Sequence, residues 1–127
     1  MKYLHTMVRV TDLEASLDFY CDKLGLRETR RREDNNGRYT LVFLCALGDE
    51  NAQIELTHNW EQDDPYVLGD GFGHLAIGVN DIDGTCERLT AGGVPIPRPA
   101  GPMKHGGSSI AFIEDPDGYR IELIERG

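Results

Sequence analysis

The sequence predicts an α+β fold made of two repeated β-α-β-β-β modules, each forming a curved mixed sheet. Two observations predict it. The segment HTMVRVTDLEAS, which begins at His5, aligns with HLAIGVNDIDGT, which begins at His74. The tripeptide Ile-Glu-Leu also occurs twice, centred on Glu55 and on Glu122. The step along the chain from His5 to His74 nearly equals the step from Glu55 to Glu122, which indicates an internal duplication.

The first half contains the signals of all five elements of one module. The segment YLHTMVRV is typical of a strand, and Thr11 and Glu14 form a Thr-x-x-Glu capping box that predicts the start of a helix. Gly25 ends that helix. Its apolar residues lie on one face, at Leu13, Leu17, Tyr20 and Leu24. Strand-like segments LRETRRRE, YTLVFLCAL and AQIELT follow, separated by turns at 35–37 and 48–49.

The second half repeats this order. After the strand that begins near His74, Asn80 caps a shorter helix that ends at Gly92-Gly93. The apolar face of this helix carries Ile82, Cys86 and Leu89. The segments VPIPRPA, SSIAFIE and YRIELIE are then predicted to be strands, and the turn at 115–118 joins the last two.

Length and charge limit the organisation and the partners of the chain. With 127 residues and 39% hydrophobic content, we expect one domain made of two repeats, about 1–60 and 70–127. A net charge of −9 would repel a phosphate backbone, so nucleic acid is not expected as a partner. The sequence contains neither a signal-peptide pattern nor a membrane-spanning apolar run, which predicts no membrane partner and a cytoplasmic protein.

Cys21, Cys45 and Cys86 have no Cys-x-x-Cys spacing and are expected to be reduced, buried thiols.

Strand alternation predicts where the repeated His and Glu residues point. His5 shares a strand face with Met7 and Arg9, opposite Val8 and Val10 beneath the helix. The same alternation places Glu55, His74 and Glu122 on the face away from the helix. A single strand Glu or His is most often a solvated or hydrogen-bonded structural residue. The repetition of both residues favours a metal site, in a cavity formed if the two curved sheets close on each other.

The four side chains suit a catalytic divalent cation. Two imidazoles and two carboxylates neutralise such an ion and leave an octahedral metal two positions for substrate oxygens. A chelated substrate would have the hydrogen on its adjacent carbon acidified, and one Glu could remove it. His58 and His105 have no partner in the repeat and are left out of the predicted ligands. No Gly-x-Ser-x-Gly, phosphate-loop or Gly-x-Gly-x-x-Gly motif offers another chemistry.

The four candidate metal ligands lie in segments that resemble the glyoxalase I family of the vicinal-oxygen-chelate superfamily. This resemblance extends over essentially the whole chain. The segments are LHTMVRVTDLEASLDFY, IELTHNW, GFGHLAIGV, AGPMKHGG and AFIEDPDGYRIELIE. The resemblance implies the vicinal-oxygen-chelate fold and a homodimer with active sites at the dimer interface. His5 and Glu55 of one chain would then bind the metal together with His74 and Glu122 of the other.

The resemblance also implies an activity, that of a lactoylglutathione lyase, which detoxifies methylglyoxal. The substrate would be the hemithioacetal of glutathione and methylglyoxal, isomerised to S-lactoylglutathione through a metal-bound enediolate. Glu122 matches the catalytic base, and Glu55 would mainly hold the metal, although the two carboxylates could exchange roles with substrate stereochemistry. Arg9 and Asn59 match residues that bind the γ-glutamyl end of glutathione.

The loop MKHGG matches the segment that closes over the substrate. Lys104 or the amides of Gly106 and Gly107 would meet the glycyl carboxylate there. Several relatives have an arginine for that carboxylate just before GFGH, whereas this chain has Asp70. Compact chains resembling this one typically prefer Ni²⁺ or Co²⁺ over Zn²⁺, so Ni²⁺ is the predicted cofactor.

Three other functions of the same fold stay open from the sequence. A ring-cleaving iron dioxygenase would use two His and one carboxylate, and Glu55 as a fourth ligand argues against it. A metal-independent drug-binding module would not need His and Glu at all four positions. An acyl-CoA epimerase shares the enolate chemistry, but it is not expected to combine IELTHNW with Arg9.

Overall fold

The computed structural model describes residues 1–126 and divides the chain into two compact units, Met1–Val67 and Leu68–Gly127. The division lies between the two predicted repeats. The grouping of both repeats into one domain stays a prediction. None of the helices within residues 1–126 is long and apolar enough to cross a membrane.

The first unit forms a four-stranded mixed sheet with one helix. Its strands lie in the order β1-β4-β3-β2, and β1 runs parallel to β4 while the other neighbours are antiparallel. The predicted β-α-β-β-β order and mixed sheet are therefore confirmed for this half. The elements are β1 His5–Arg9, α1 Leu13–Leu17 with its π-helical continuation Asp18–Lys23, β2 Arg27–Asp34, β3 Tyr39–Cys45 and β4 Gln53–Asn59.

The second unit has the same topology. Its strand order is β5-β8-β7-β6, with β5 parallel to β8. The strand predicted at VPIPRPA begins only at Arg98 and continues past the predicted end, and its pairing with β7 is irregular between Arg98 and Gly101. Proline residues, which cannot donate to a sheet, are tolerated here because β6 is an edge strand. The elements are β5 Leu75–Val79, α2 Ile82–Ala91, β6 Arg98–Pro102, β7 Ser109–Glu114 and β8 Arg120–Glu125.

Aspartates cap both helices, so the predicted caps at Thr11 and Asn80 are wrong by one residue. The Asp12 side chain accepts a hydrogen bond from the Ala15 amide at 3.1 Å, and Asp81 accepts one from Gly84 at 3.0 Å. An ionised carboxylate satisfies a free N–H of the first turn and also interacts favourably with the positive end of the helix dipole.

The buried face of the first helix differs from the predicted one. Tyr20 is buried as predicted, together with Ser16 and Phe19, whereas Leu13, Leu17 and Leu24 are only partly covered. The π-helical turn contributes to the difference beyond Leu17, because its wider hydrogen-bond spacing rotates the later side chains relative to an α-helical pattern. Leu13 and Ser16 lie in the α-helical part that precedes this turn. Gly25, with φ +91°, ends the helix as predicted.

Burial of the predicted core residues of β1 and of the three thiols agrees only in part with the prediction. Val8 and Val10 are buried as expected, whereas Leu4, which strand alternation also predicts on the buried face, lies before β1 and is exposed. Cys21, Cys45 and Cys86 are free thiols, but only Cys45 is fully buried. Partial burial is the main cause that raises the pKa of the Cys21 and Cys86 thiols, which disfavours the reactive thiolate form.

Replacing Asp81 with Ala is expected to lower the free energy of unfolding by about 1 kcal/mol, because the Gly84 amide loses its acceptor. Urea unfolding followed by circular dichroism measures the change. The matched control is Asn80→Ala, one residue earlier, which should change stability by less than about 0.5 kcal/mol. The reverse ranking of the two variants would contradict the observed cap.

Candidate metal centre and active site

The first His–Glu pair lies on neighbouring parallel strands of the first unit. His5 begins β1, and Glu55 is in the middle of β4, opposite Met7 in the strand register. His5 Nε2 lies 2.7 Å from Glu55 Oε1, and the two side chains are 30% and 11% exposed. The pair therefore places one nitrogen and one oxygen donor side by side, on the face predicted by strand alternation.

The second pair repeats the arrangement in the second unit with a wider spacing. His74 directly precedes β5, and Glu122 lies on β8 opposite Ala76. His74 Nε2 is 3.5 Å from Glu122 Oε1, and the side chains are 43% and 15% exposed. Each unit thus brings together the two candidate ligands that the sequence assigned to it.

A phenylalanine ring supports the histidine in each pair, a feature that the sequence analysis missed. Phe43 stands opposite Glu55 in the strand register and contacts the His5 ring edge-on, with centroids 5.2 Å apart. Phe112 stands opposite Glu122, and its centroid lies 5.3 Å from that of His74. The step from Phe43 to Phe112 along the chain equals the step from one histidine to the other, so the repeat contained a signal for the two rings.

The two carboxylates differ in their remaining contacts. The Thr57 hydroxyl donates a hydrogen bond of 3.0 Å to Glu55 Oε2, and both residues are buried. The alignment that pairs Glu55 with Glu122 also pairs Thr57 with Ile124, which has no hydroxyl to donate to Glu122. The sequence analysis assigned no role to Thr57.

The donors in each unit fit a divalent cation. Imidazole nitrogen and carboxylate oxygen are the ligands that borderline divalent metals accept. Within residues 1–126, no cluster of three or more His, Cys, Asp or Glu side chains has a geometry that could hold a metal. Each unit provides two of the four candidate ligands, so two such pairs are needed for the predicted set.

The two candidate residues for the γ-glutamyl end lie at one end of the first unit's sheet. Arg9 ends β1 and is exposed, and it stands opposite Thr57 of β4. Asn59 ends β4, where its amide donates a hydrogen bond of 3.1 Å to the hydroxyl of Tyr66. By strand alternation both side chains share the face of the His5–Glu55 pair. Tyr66 was not identified from the sequence.

The candidate residues for the glycyl end lie in the loop between β6 and β7 of the second unit. Lys104, Gly106 and Gly107 are all exposed there. Gly106 and Gly107 have φ values of +88° and +99°, which a residue with a side chain rarely adopts. Asp70, which stands where several relatives were expected to have arginine, is also exposed.

The two histidines left out of the predicted ligand set have other surroundings. His58 is on β4, and its Nδ1 lies 3.4 Å from the Val10 carbonyl oxygen. His105 is exposed in the β6–β7 loop. Neither forms a pair with a carboxylate of the kind that His5 and His74 form.

A small cleft adjoins the first pair within the same unit. It measures about 210 Å³, and its lining includes His5, Phe43 and Arg30. The Arg30 guanidinium lies 3.8 Å from the centre of the Phe43 ring, a favourable cation–π distance. A positive charge therefore stands close to the aromatic ring that supports the candidate metal ligand His5.

Comparison with known proteins gives the class to which this fold and site belong. Residues 2–123 match the model of the Glyoxalase/Bleomycin resistance protein/Dioxygenase superfamily. A probable lactoylglutathione lyase of Synechocystis sp. is 54% identical over 98% of this chain and 95% of its own length. A lactoylglutathione lyase of Haemophilus influenzae is 52% identical over 98% of this chain and 93% of its own.

A solved structure has the same fold. Glyoxalase I of Zea mays superposes with a TM-score of 0.92 at 39% identity, over 99% of this chain and 45% of the maize chain. This chain therefore spans about half the length of the maize protein. The chain belongs to the glyoxalase superfamily named above, and its relatives at about half identity place it, within that superfamily, among the lactoylglutathione lyases.

Proposed function

We propose that the chain isomerises the hemithioacetal of glutathione and methylglyoxal to S-lactoylglutathione, with a divalent metal held by four side chains. These are His5, Glu55, His74 and Glu122. The observation that carries the proposal is the occurrence of two His–Glu pairs at repeat-related positions, each within 3.5 Å. The names of the relatives, which are lactoylglutathione lyases, support the reaction.

The complete site is formed by two copies of the chain. His5 and Glu55 of one protomer join His74 and Glu122 of its partner, so a homodimer has two sites. The length of the maize enzyme supports this arrangement, because the superposition covers 99% of this chain but only 45% of the maize chain. One maize chain is thus about as long as two copies of the present chain.

Glu122 moves the proton in this reaction. It takes the hydrogen from C1 of the substrate and returns a proton to the adjacent C2, while the hydroxyl proton passes from the C1 oxygen to the C2 oxygen, so that the hemithioacetal alcohol becomes a thioester and the ketone becomes an alcohol. When bound, the divalent cation stabilises the negative charge that develops on the two neighbouring substrate oxygens. Glu122 would be a metal ligand as well as the base, whereas Glu55 and the two histidines would act as ligands alone.

Groups outside the ligand set hold glutathione. Arg9 and Asn59, at the same end of the first unit's sheet, bind the γ-glutamyl end through its carboxylate and amine. Lys104 and the amides of Gly106 and Gly107 bind the glycyl carboxylate in place of the arginine that Asp70 replaces. Their exposure leaves them accessible to a ligand.

The metal is Ni²⁺ or Co²⁺ in this proposal, and Zn²⁺ gives less activity. The preference rests on resemblance to compact relatives, because two imidazoles and two carboxylates are acceptable ligands for all three ions. The cytoplasmic location also stays a prediction from the sequence.

Metal-stripped protein is expected to form no thioester from glutathione and methylglyoxal, and added Ni²⁺ or Co²⁺ is expected to restore the reaction more than Zn²⁺. The measurement is the initial rate of thioester formation with each metal added to the same stripped sample. The proposed reaction would be wrong if none of the metals gave thioester. Metal binding without turnover would favour the acyl-CoA epimerase, and no metal binding would favour the binding module.

A further inference from the structure

One buried hydrogen bond distinguishes the two otherwise similar His–Glu pairs. Thr57 Oγ1 donates to Glu55 Oε2 at 3.0 Å, while His5 Nε2 lies 2.7 Å from Glu55 Oε1. Both carboxylate oxygens of Glu55 therefore have a protein partner. Glu55 and Thr57 are two residues apart on β4, so their side chains lie next to each other on the same face of the strand. The bond therefore needs no contribution from any other element.

The hydroxyl is held in place by its surroundings. Thr57 is 9% exposed and lies on β4, which pairs with both β1 and β3. Threonine is β-branched, so its χ1 angle has few accessible values in a strand. A rotation of the Glu55 carboxylate would break the bond and leave a buried hydroxyl without an acceptor, which is unfavourable.

The second unit lacks this restraint at the aligned position. Ile124 follows Glu122 on the same strand face, as Thr57 follows Glu55. Its side chain is apolar and cannot hydrogen-bond to the carboxylate. The wider separation of 3.5 Å between His74 and Glu122 is consistent with a less restrained carboxylate.

We infer that Thr57 is a positioning residue that fixes Glu55 as a metal-holding carboxylate, and that its replacement by Ile124 in the repeat leaves Glu122 able to turn toward the substrate. This inference rests on the proposed function, because it assigns different tasks to the two carboxylates of that site. The duplication alone would make the two glutamates equivalent. One hydroxyl, present in the first repeat and absent from the second, makes them different.

The first test measures metal affinity without turnover. Ni²⁺ binding to metal-stripped protein is followed by competition with a chromophoric chelator. Thr57→Val is expected to weaken binding about 10- to 100-fold, the usual effect of removing a group that orients a metal ligand. Thr57→Ser keeps the hydroxyl and should recover most of the affinity, which a purely structural role of the threonine methyl group would not give.

The second test moves the hydroxyl to the other glutamate. Ile124→Thr places a donor beside Glu122, and with saturating Ni²⁺ it is expected to lower kcat about 10-fold without weakening metal binding. Ile124→Val, which is similar in size and has no hydroxyl, is the matched control and should retain wild-type kcat. Circular dichroism checks that each variant is folded.

Two results would overturn the inference while leaving the proposed function intact. One is wild-type Ni²⁺ affinity in Thr57→Val, and the other is equal kcat in Ile124→Thr and Ile124→Val. Failure of the proposed function looks different, because the wild-type protein itself would then show no Ni²⁺-dependent thioester formation.

Discussion

Glu122→Gln is expected to reduce kcat by about 10²- to 10⁴-fold at saturating Ni²⁺, the contribution typical of a positioned general base. Glutamine has nearly the same shape as glutamate, but its amide cannot take up the C1 proton. Metal binding should weaken as well, because a neutral amide is a poorer ligand for a cation than a carboxylate. The rate of thioester formation is therefore measured over a range of metal concentrations that reaches saturation.

Glu125→Gln is the matched control for this variant. Glu125 lies on the same strand but on the opposite face, where its carboxylate accepts a hydrogen bond of 3.1 Å from the Ile82 amide. Glutamine retains an oxygen acceptor, so this control should keep wild-type kcat. A Glu122→Gln enzyme that retained most of its kcat at saturating metal would remove Glu122 from the role of base and point to Glu55.

The sequence was sufficient to predict the features that depend on periodicity. Alternation along two short strands placed His5 and Glu55 on one face, and the observed Nε2–Oε1 distance of 2.7 Å agrees with that placement. The repeat then extended the argument to His74 and Glu122. The mixed character of each sheet was also predicted, whereas the strand order, with the first strand parallel to the last, was seen only in the structure.

Features that depend on side-chain geometry could not be predicted in the same way. Thr11 and Asp12 are adjacent residues that both suit a helix cap, and only the backbone conformation decides that Asp12 accepts the bond. The π-helical turn left no pattern in the sequence distinct from an α-helix, so the buried face included Phe19 unexpectedly. The hydrogen bond from Thr57 to Glu55 could not be predicted either, because it depends on the rotamers of both side chains.

Phe43 and Phe112 lie between predictable and unpredictable features, because the sequence showed their correspondence but not their role. Their correspondence in the repeat was present in the sequence, but aromatic residues in strands are common core residues and the correspondence alone assigned no role to them. Their edge-on contacts with His5 and His74 give the role, because each ring limits the orientations of the imidazole. The repeat therefore preserves both the candidate ligands and the aromatic rings that contact them.

Mixing two inactive variants is expected to restore activity if each metal site is shared between protomers. Glu55→Gln removes a candidate metal ligand from the first unit, and Glu122→Gln removes one from the second unit. In a mixed dimer, one site combines the intact first unit of one protomer with the intact second unit of its partner. Random exchange of equal amounts of the two variants makes about half of the dimers mixed, and each mixed dimer has one working site of two. About one quarter of wild-type activity should therefore return.

The matched negative control mixes His5→Gln with Glu55→Gln, two changes in the same unit. Each site of that mixed dimer carries one of the two defects, so no activity should return. Native mass spectrometry of the mixtures establishes that protomers have exchanged before rates are compared. If exchanged Glu55→Gln and Glu122→Gln protomers stayed inactive, the four candidate ligands would not be divided between two chains, and the first unit of one protomer would not complete the second unit of its partner.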